Sequence, residues 1–339
     1  MQFQSAIDIK PLVPPITYRD KILLIGSCFT EHIGAYLAEV KFNTLQNPNG
    51  ILFNPLSICS SLISYMQNQH YGEEDLFQLN DIWHSWQHHS SFSRVSKTEC
   101  LENINRSQAA AHRFLKEADW LVLTLGSSFA YRLLPGYPGG TDQTGAGMVV
   151  ANCHKAPARW FEKQLCTIEE IITSLDTLVF RLAHLNPGLK ILFTISPVRH
   201  LREGVVENNR SKARLIEAVH HLVNKFDRLF YFPAYELVID VLRDYRFFDI
   251  DLAHPNYQAT QYVLEKFGES CFDRETKTLA EEIRKLGIAY KHKAFHPNST
   301  QHQDFLRLQL EKTKILQQNH PYLNFEKELT YFSGTGKGI

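Results

Sequence analysis

The stretch Lys21-Ile22-Leu23-Leu24-Ile25-Gly26-Ser27-Cys28-Phe29-Thr30 decides how the chain is read. A short apolar run stops abruptly at Gly-Ser and gives way to a helical pattern, with Ile33, Tyr36, Leu37 and Val40 on one side. Unbroken apolar residues mark a strand buried on both faces, as in a parallel sheet. The polar residue that ends such a strand is delivered to the carboxyl edge of the sheet, where α/β proteins bind their ligands. Ser27 there is a candidate nucleophile if a base reaches it. Its other reading is a helix N-cap, for which serine is among the best residues.

Working outward, a short strand around 42–45 leads into the loop Gln46-Asn47-Pro48-Asn49-Gly50, and Asn54-Pro55 opens the next helix. Residues 70–100, rich in Trp, His and Ser, read as an insertion. A helix around 101–117 precedes the strand Trp120-Leu121-Val122-Leu123-Thr124-Leu125, and residues 133–155 read as one long loop. The second half repeats the alternation: a helix from Ile168 to Leu182, a strand over 190–195, a helix from Leu215 to Phe226, a strand over 229–232 and a helix over 234–244. Strands alternating with helices predict a parallel, doubly wound, three-layer α/β/α sandwich. That places an α/β domain at 1–274 and a helical C-terminal extension at 275–339, with helices at 275–292 and 300–318. The extension is open between an appendage on the core, a mobile tail and an arm for a homo-oligomer.

The 339 residues are 44% hydrophobic, with 36 basic and 36 acidic side chains, so net charge gives no reason to expect nucleic acid or an anionic membrane as partner. The first residues lack the basic and apolar regions of a signal peptide, and no apolar stretch approaches the roughly 20 residues that span a bilayer. Six cysteines without a C-x-x-C pair fit reduced thiols and a cytoplasmic location. His84, His88 and His89 have helix-face spacing for a metal, but Trp83, Ser85 and Trp86 weaken the helix and no carboxylate completes a ligand set. No metal or cofactor is therefore expected, and His89 is read as a lining residue of a cleft or part of a plain surface loop.

The candidate base lies far downstream, in Asp251-Leu252-Ala253-His254-Pro255-Asn256. In a Ser-His-Asp relay the imidazole takes the nucleophile's proton and the carboxylate orients the ring; D-x-x-H in a turn puts both on one side of a loop. A capping turn before a helix is the plainer reading of the same spacing. The joint occurrence of an early strand-Gly-Ser and a late D-x-x-H resembles the SGNH, or GDSL-like, hydrolases. Gly26-Ser27-Cys28-Phe29-Thr30 more closely resembles the signature of the GSCFA family, with Thr for the final Ala. Asn152-Cys153-His154-Lys155, Thr194-Ile195-Ser196-Pro197-Val198-Arg199-His200 and the segment at 251–256 also look like that family.

The resemblance implies a flavodoxin-like sandwich, a nucleophile at Ser27, a base at His254, an orienting acid at Asp251 and an inward-packed, structural Cys28. SGNH enzymes complete the oxyanion hole with a Gly and an Asn from two further blocks. Ser27 and Gly50 supply the expected N–H groups, but Ser128 stands where the Asn is expected, and Asn152 is the other source of an amide. Arg199, His200 and His154 are candidate cleft residues, each with a structural alternative. The function read from all this is an esterase, acting through an acyl-enzyme on an O-acyl carbohydrate or small metabolite. Transfer to an acceptor hydroxyl, and a non-catalytic binding module, are the alternatives.

Overall fold

The computed structural model describes residues 5–136 and 147–334. In chain order its elements are β1 (Lys21–Gly26), α1 (Cys28–Glu39), β2 (Asn43–Gln46), α2 (Pro55–Gln67), β3 (Phe77–Leu79), β4 (Ile82–His84), α3 (Lys97–Glu117), β5 (Trp120–Leu125), β6 (Phe129–Leu133), β7 (Val149–Val150), β8 (Phe161–Leu165), α4 (Ile168–Leu185), β9 (Lys190–Ile195), α5 (Gly204–Lys225) and β10 (Leu229–Phe232). A short α6 (Ala234–Glu236) runs on as a π-helical turn over Leu237–Leu242, followed by α7 (Tyr257–Cys271), α8 (Arg274–Lys291), α9 (Thr300–Asn319) and α10 (Glu326–Phe332).

Five strands form the central sheet in the order β10-β9-β5-β1-β2, every neighbouring pair parallel. Counted along the chain this is the 2-1-3-4-5 order of flavodoxin-like folds, whose direction of winding reverses between the first and third strands. Here that switch point lies between β1 and β5. The period-2 geometry of a strand sends alternate residues to opposite faces. Ile22 and Leu24 of β1 accordingly join Phe29, Ile33, Val263 and Phe267 on one face, while Leu23 and Ile25 join Leu62, Leu175, Leu215 and Val219 on the other. Both faces are dry, so after Lys21 at its edge β1 carries no polar side chain, and the next one along the chain is Ser27.

The C-terminal helices share the first of these cores: Ile283, Leu286, Leu316, Phe325 and Phe332 pack in one cluster with Ile33 and Leu37 of α1. The extension read from the sequence is thus packed against the α/β layer. The long loop expected over 133–155 needs correction, although 137–146 lie outside the described residues. β6 pairs antiparallel with both β7 and β8, giving a small second sheet on one side of the main one. Its strands are too short and mixed in polarity for period-2 alternation to announce them. Residues 70–100 carry a β3-β4 hairpin whose Phe77 stacks on Trp86 with ring centroids 3.6 Å apart.

Candidate active site

The turn after β1 is held by its neighbours. Gly26 has φ +154°, and a Cβ there would lie 2.3 Å from the Thr124 carbonyl oxygen, so only glycine fits this close approach to β5. Its N–H donates to Asn47 Oδ1 at 2.9 Å, and the Ser27 N–H donates to the Thr124 carbonyl at 3.1 Å. Ser27 then stands at the N-cap of α1, with extended backbone, yet its side chain makes no capping bond. Asn54, Ser96, Thr167, Asn256, Asp273 and Ser299, heading α2, α3, α4, α7, α8 and α9, all accept a backbone N–H as caps do. Ser27 is only 2% exposed, and its hydroxyl has no hydrogen-bond partner among the described residues.

The second segment folds as a tight turn before α7. Asp251 Oδ1 accepts the N–H groups of Ala253 (2.9 Å) and His254 (3.0 Å), while Oδ2 lies 2.6 Å from His254 Nδ1. Those backbone donors, foremost that of His254, and then the imidazole hold the Asp251 carboxyl down to about 2. The carboxylate thus fixes the ring through Nδ1 and leaves Nε2 for other partners. The turn is tied to the sheet edge by the Arg199 N–H, which donates to the Ala253 carbonyl at 3.0 Å just beyond β9. Asn256 Nδ2 binds the Arg246 carbonyl at 2.7 Å, while Asn256 Oδ1 caps α7. Ser27 and the Asp251-His254 pair therefore stand on the same carboxyl edge, and no hydrogen bond joins them in this structure.

Beside them runs a cleft of about 700 Å³ whose walls include Phe29, His32, Val198 and His254. His200 follows Arg199. Its ring lies 5.7 Å from that of Phe53, its Nε2 is buried without a partner, and burial, with Lys212 and His254 adding to it, brings it down to about 4. The Arg199 guanidinium stacks over the Phe248 and Tyr245 rings, 4.3 and 5.3 Å from their centroids. His89 packs directly against Gly50, where an added Cβ would lie 2.3 Å from the His89 Cβ. His154 goes elsewhere. It is buried among His84, Trp86 and Phe77, with Nε2 2.9 Å from the Ser85 carbonyl oxygen, and burial brings it to about 4. The apolar hairpin on which it packs takes it into a satellite core rather than the cleft.

Three of the four groups expected to serve an oxyanion have their donors committed to other partners here, and the fourth, Asn152, is tied into its loop through its amide oxygen. Besides the Ser27 N–H, the Gly50 N–H donates to the Asn47 carbonyl (2.7 Å), the Ser128 hydroxyl donates to the Ser211 carbonyl (3.1 Å), and Asn152 Oδ1 accepts from the His154 N–H (2.7 Å). Ser128 is fully buried against α5, which takes its hydroxyl out of reach of a substrate in the cleft. Asn47 offers what these lack: its Oδ1 holds the Gly26 N–H while its Nδ2 is buried and unpaired. Burial, then Glu31, raises the Cys28 thiol above its ordinary range, against the lowering effect of Lys212. That is the reverse of an activated thiolate.

Two residues escaped the sequence reading. Asn47 looked like one polar member of a loop. Lys212 on α5 is 1% exposed, and its ammonium donates to the carbonyls of Gly126 and Ser196 at 2.6 Å each, tying together the chain segments beyond β5 and β9. Burial pulls it down to about 7, with the Cys28 thiol opposing. The available signal was a lysine at helical spacing from Leu215 and Val219, a polar residue on an apolar stripe. For the histidines read against a metal, His84 Nδ1 lies 2.7 Å from Ser93 Oγ and His88 Nδ1 lies 2.9 Å from Ser85 Oγ. Among the described residues no group of three or more His, Cys, Asp or Glu could hold a metal ion.

Sheet order, Gly-Ser turn and Asp-His turn define a three-layer, flavodoxin-like α/β protein with polar groups gathered beyond the strand ends near its switch point. The chain belongs to the GSCFA family: the family's sequence model matches residues 21–267, and that of the GSCFA domain protein C-terminal domain matches 281–334. None of the curated proteins matches it in sequence. Among solved structures it is similar to a carbohydrate esterase family 3 protein from Talaromyces cellulolyticus, at 10% identity and TM-score 0.35, covering 78% of this chain and 99% of that one. No helix among the described residues is long and apolar enough to cross a membrane.

Proposed function

We propose that the protein is a serine hydrolase of the SGNH type that cleaves an ester, with an O-acyl carbohydrate or similar polar metabolite as substrate. One observation carries this reading: a serine heads a helix and leaves the capping bond unmade, its buried hydroxyl unpaired on the same sheet edge as a carboxylate-oriented imidazole. A buried hydroxyl without a partner costs about 1–3 kcal/mol, a cost that persists where function needs the group free.

In this mechanism Ser27 Oγ attacks the ester carbonyl as His254 Nε2 takes its proton, and Asp251 steadies the imidazolium through Nδ1. The carbonyl carbon gains the bond to Oγ, the bond to the alcohol oxygen breaks, and His254 returns the proton to that oxygen. Water then attacks the acyl-serine with the same assistance and restores Ser27. Asn47 Nδ2 and the N-terminus of α1 favour the developing oxyanion. In this reading the Ser27-His254 hydrogen bond forms in the substrate complex, where catalytic hydrogen bonds tighten. A ligand-binding module on the same fold is the second reading, and the occupied N–H groups of Ser27 and Gly50 favour it.

Turnover of p-nitrophenyl acetate separates the two. In the hydrolase reading His254→Ala lowers kcat about 10³-fold or more, and Asp251→Asn lowers it by roughly 10²–10⁴-fold with little change in KM. Equal turnover by wild type and both variants would assign any cleavage to background and leave the binding module.

A further inference from the structure

The cleft described above has His254 in its wall, whereas Ser27 lies beneath the surface. Given the hydrolase reading, on which this inference rests, that asymmetry orients the substrate. The alcohol oxygen must receive its proton from His254, so the alcohol leaves on the side where His254 faces open space. Around Ser27 the packing is close: a Cβ at Gly126 would lie 2.9 Å from the Phe53 Cβ and 3.2 Å from the Ser27 Cβ. Room for a large group exists on the alcohol side, and the neighbourhood of the nucleophile suits a small acyl group.

We propose that this cleft, between α1, α7 and α8, is the alcohol-side subsite and takes a bulky polyhydroxylated alcohol of one or more sugar rings carrying a small O-acyl group. Its volume of about 700 Å³ falls in the range of sites that enclose whole small molecules. Tyr257 and Ile288, 76% and 55% exposed, offer apolar surface suited to the C–H face of a ring. Gln261 and His32 add hydrogen-bonding groups on α7 and α1. The lining carries two charges of each sign, Glu39 and Asp249 against Arg284 and Lys291, with Lys291 paired to Glu39 at 2.6 Å and Arg284 to Glu281 outside the lining at 2.8 Å. Paired ions in the wall disfavour a lipid tail and leave no surplus charge to draw an anion, while their free lone pairs and N–H groups suit hydroxyls. The C-terminal helices gain a role from this: α8 forms the far wall of the site, which the α/β layer alone would leave open.

The test compares kcat/KM for a mono-O-acetylated oligosaccharide with that for ethyl acetate, in wild type, Ile288→Trp, Tyr257→Ala and, as a control far along α9, Leu308→Trp. The expected result is a wild-type preference for the oligosaccharide of at least tenfold. The oligosaccharide-to-ethyl-acetate ratio should fall tenfold or more in Ile288→Trp and Tyr257→Ala, mainly through KM, and hold in Leu308→Trp. Ser27-dependent turnover of both esters with a ratio that neither cleft variant moves would overturn the subsite and leave the hydrolase standing. Absence of Ser27-dependent turnover of either ester would overturn the hydrolase reading and the subsite with it.

Discussion

Ser27→Ala is expected to abolish ester turnover, by about 10⁴-fold or more, while making the protein more stable. The two signs together separate the nucleophile from the cap. A serine that caps a helix loses about 1 kcal/mol of stability on replacement by alanine. Ser27 heads α1, but its buried hydroxyl donates to and accepts from nothing among the described residues. Removing a buried, unsatisfied hydroxyl relieves roughly 1 kcal/mol or more of desolvation cost, which raises Tm by about 2 °C in a domain of this size. Differential scanning calorimetry beside a turnover assay checks both. A lower Tm with unchanged turnover would return Ser27 to the role of a cap. Cys28→Ala serves as the comparison, since its thiol is held protonated by burial.

Acid is expected to unfold the protein early. Burial holds His88 at about 3 and His154 and His200 at about 4, all well below the ordinary imidazole value near 6.5. Above pH 6.5 these rings are neutral in both states and contribute no pH dependence. As pH falls from 6.5 toward 4 the unfolded chain takes up the three protons and the folded chain does not, so stability drops by about 4 kcal/mol per pH unit. A domain stable by roughly 6–10 kcal/mol, within the ordinary range, would then unfold between about pH 5 and 4. Lys212, held at about 7 against 10.5 in a free chain, gives the same sign at higher pH, with stability rising between about 7 and 10. The buried thiols of Cys59 and Cys271, pushed up to about 12, oppose that rise above about pH 9. Urea midpoints are therefore expected to climb from pH 5 to pH 8, and His154→Gln should flatten the acid limb by about a third. A flat midpoint between pH 5 and 7 would contradict the neutral buried histidines.

How much of this was legible beforehand differs from element to element. The run from Ile22 to Gly26 announced a strand buried on both faces, and the two cores that share its side chains bear that out. The helices near 275–292 and 300–318 appear as α8 and α9 with ends moved by about one residue. The sheet of β6, β7 and β8 was missed because strands of two to five residues with mixed polarity give no periodic signal. At the site, the Gly26-Ser27 turn and the Asp251-His254 pair were readable because each is a local motif of a few residues. The burial of His154, the commitment of Ser128 to Ser211 and the clamp of Lys212 were not, since each depends on a partner far away in sequence. Position along a chain does not say which donors tertiary packing will consume.

The central claim is that Ser27 is an activated nucleophile, and the most direct measurement is the mass of the intact, folded protein after incubation with a fluorophosphonate probe, followed by peptide mapping. One adduct per chain is expected, on the peptide that carries Ser27, lost in Ser27→Ala, retained in Cys28→Ala and slowed at least a hundredfold in His254→Ala. An adduct mapped elsewhere, or no adduct on the folded wild-type protein, would contradict the claim.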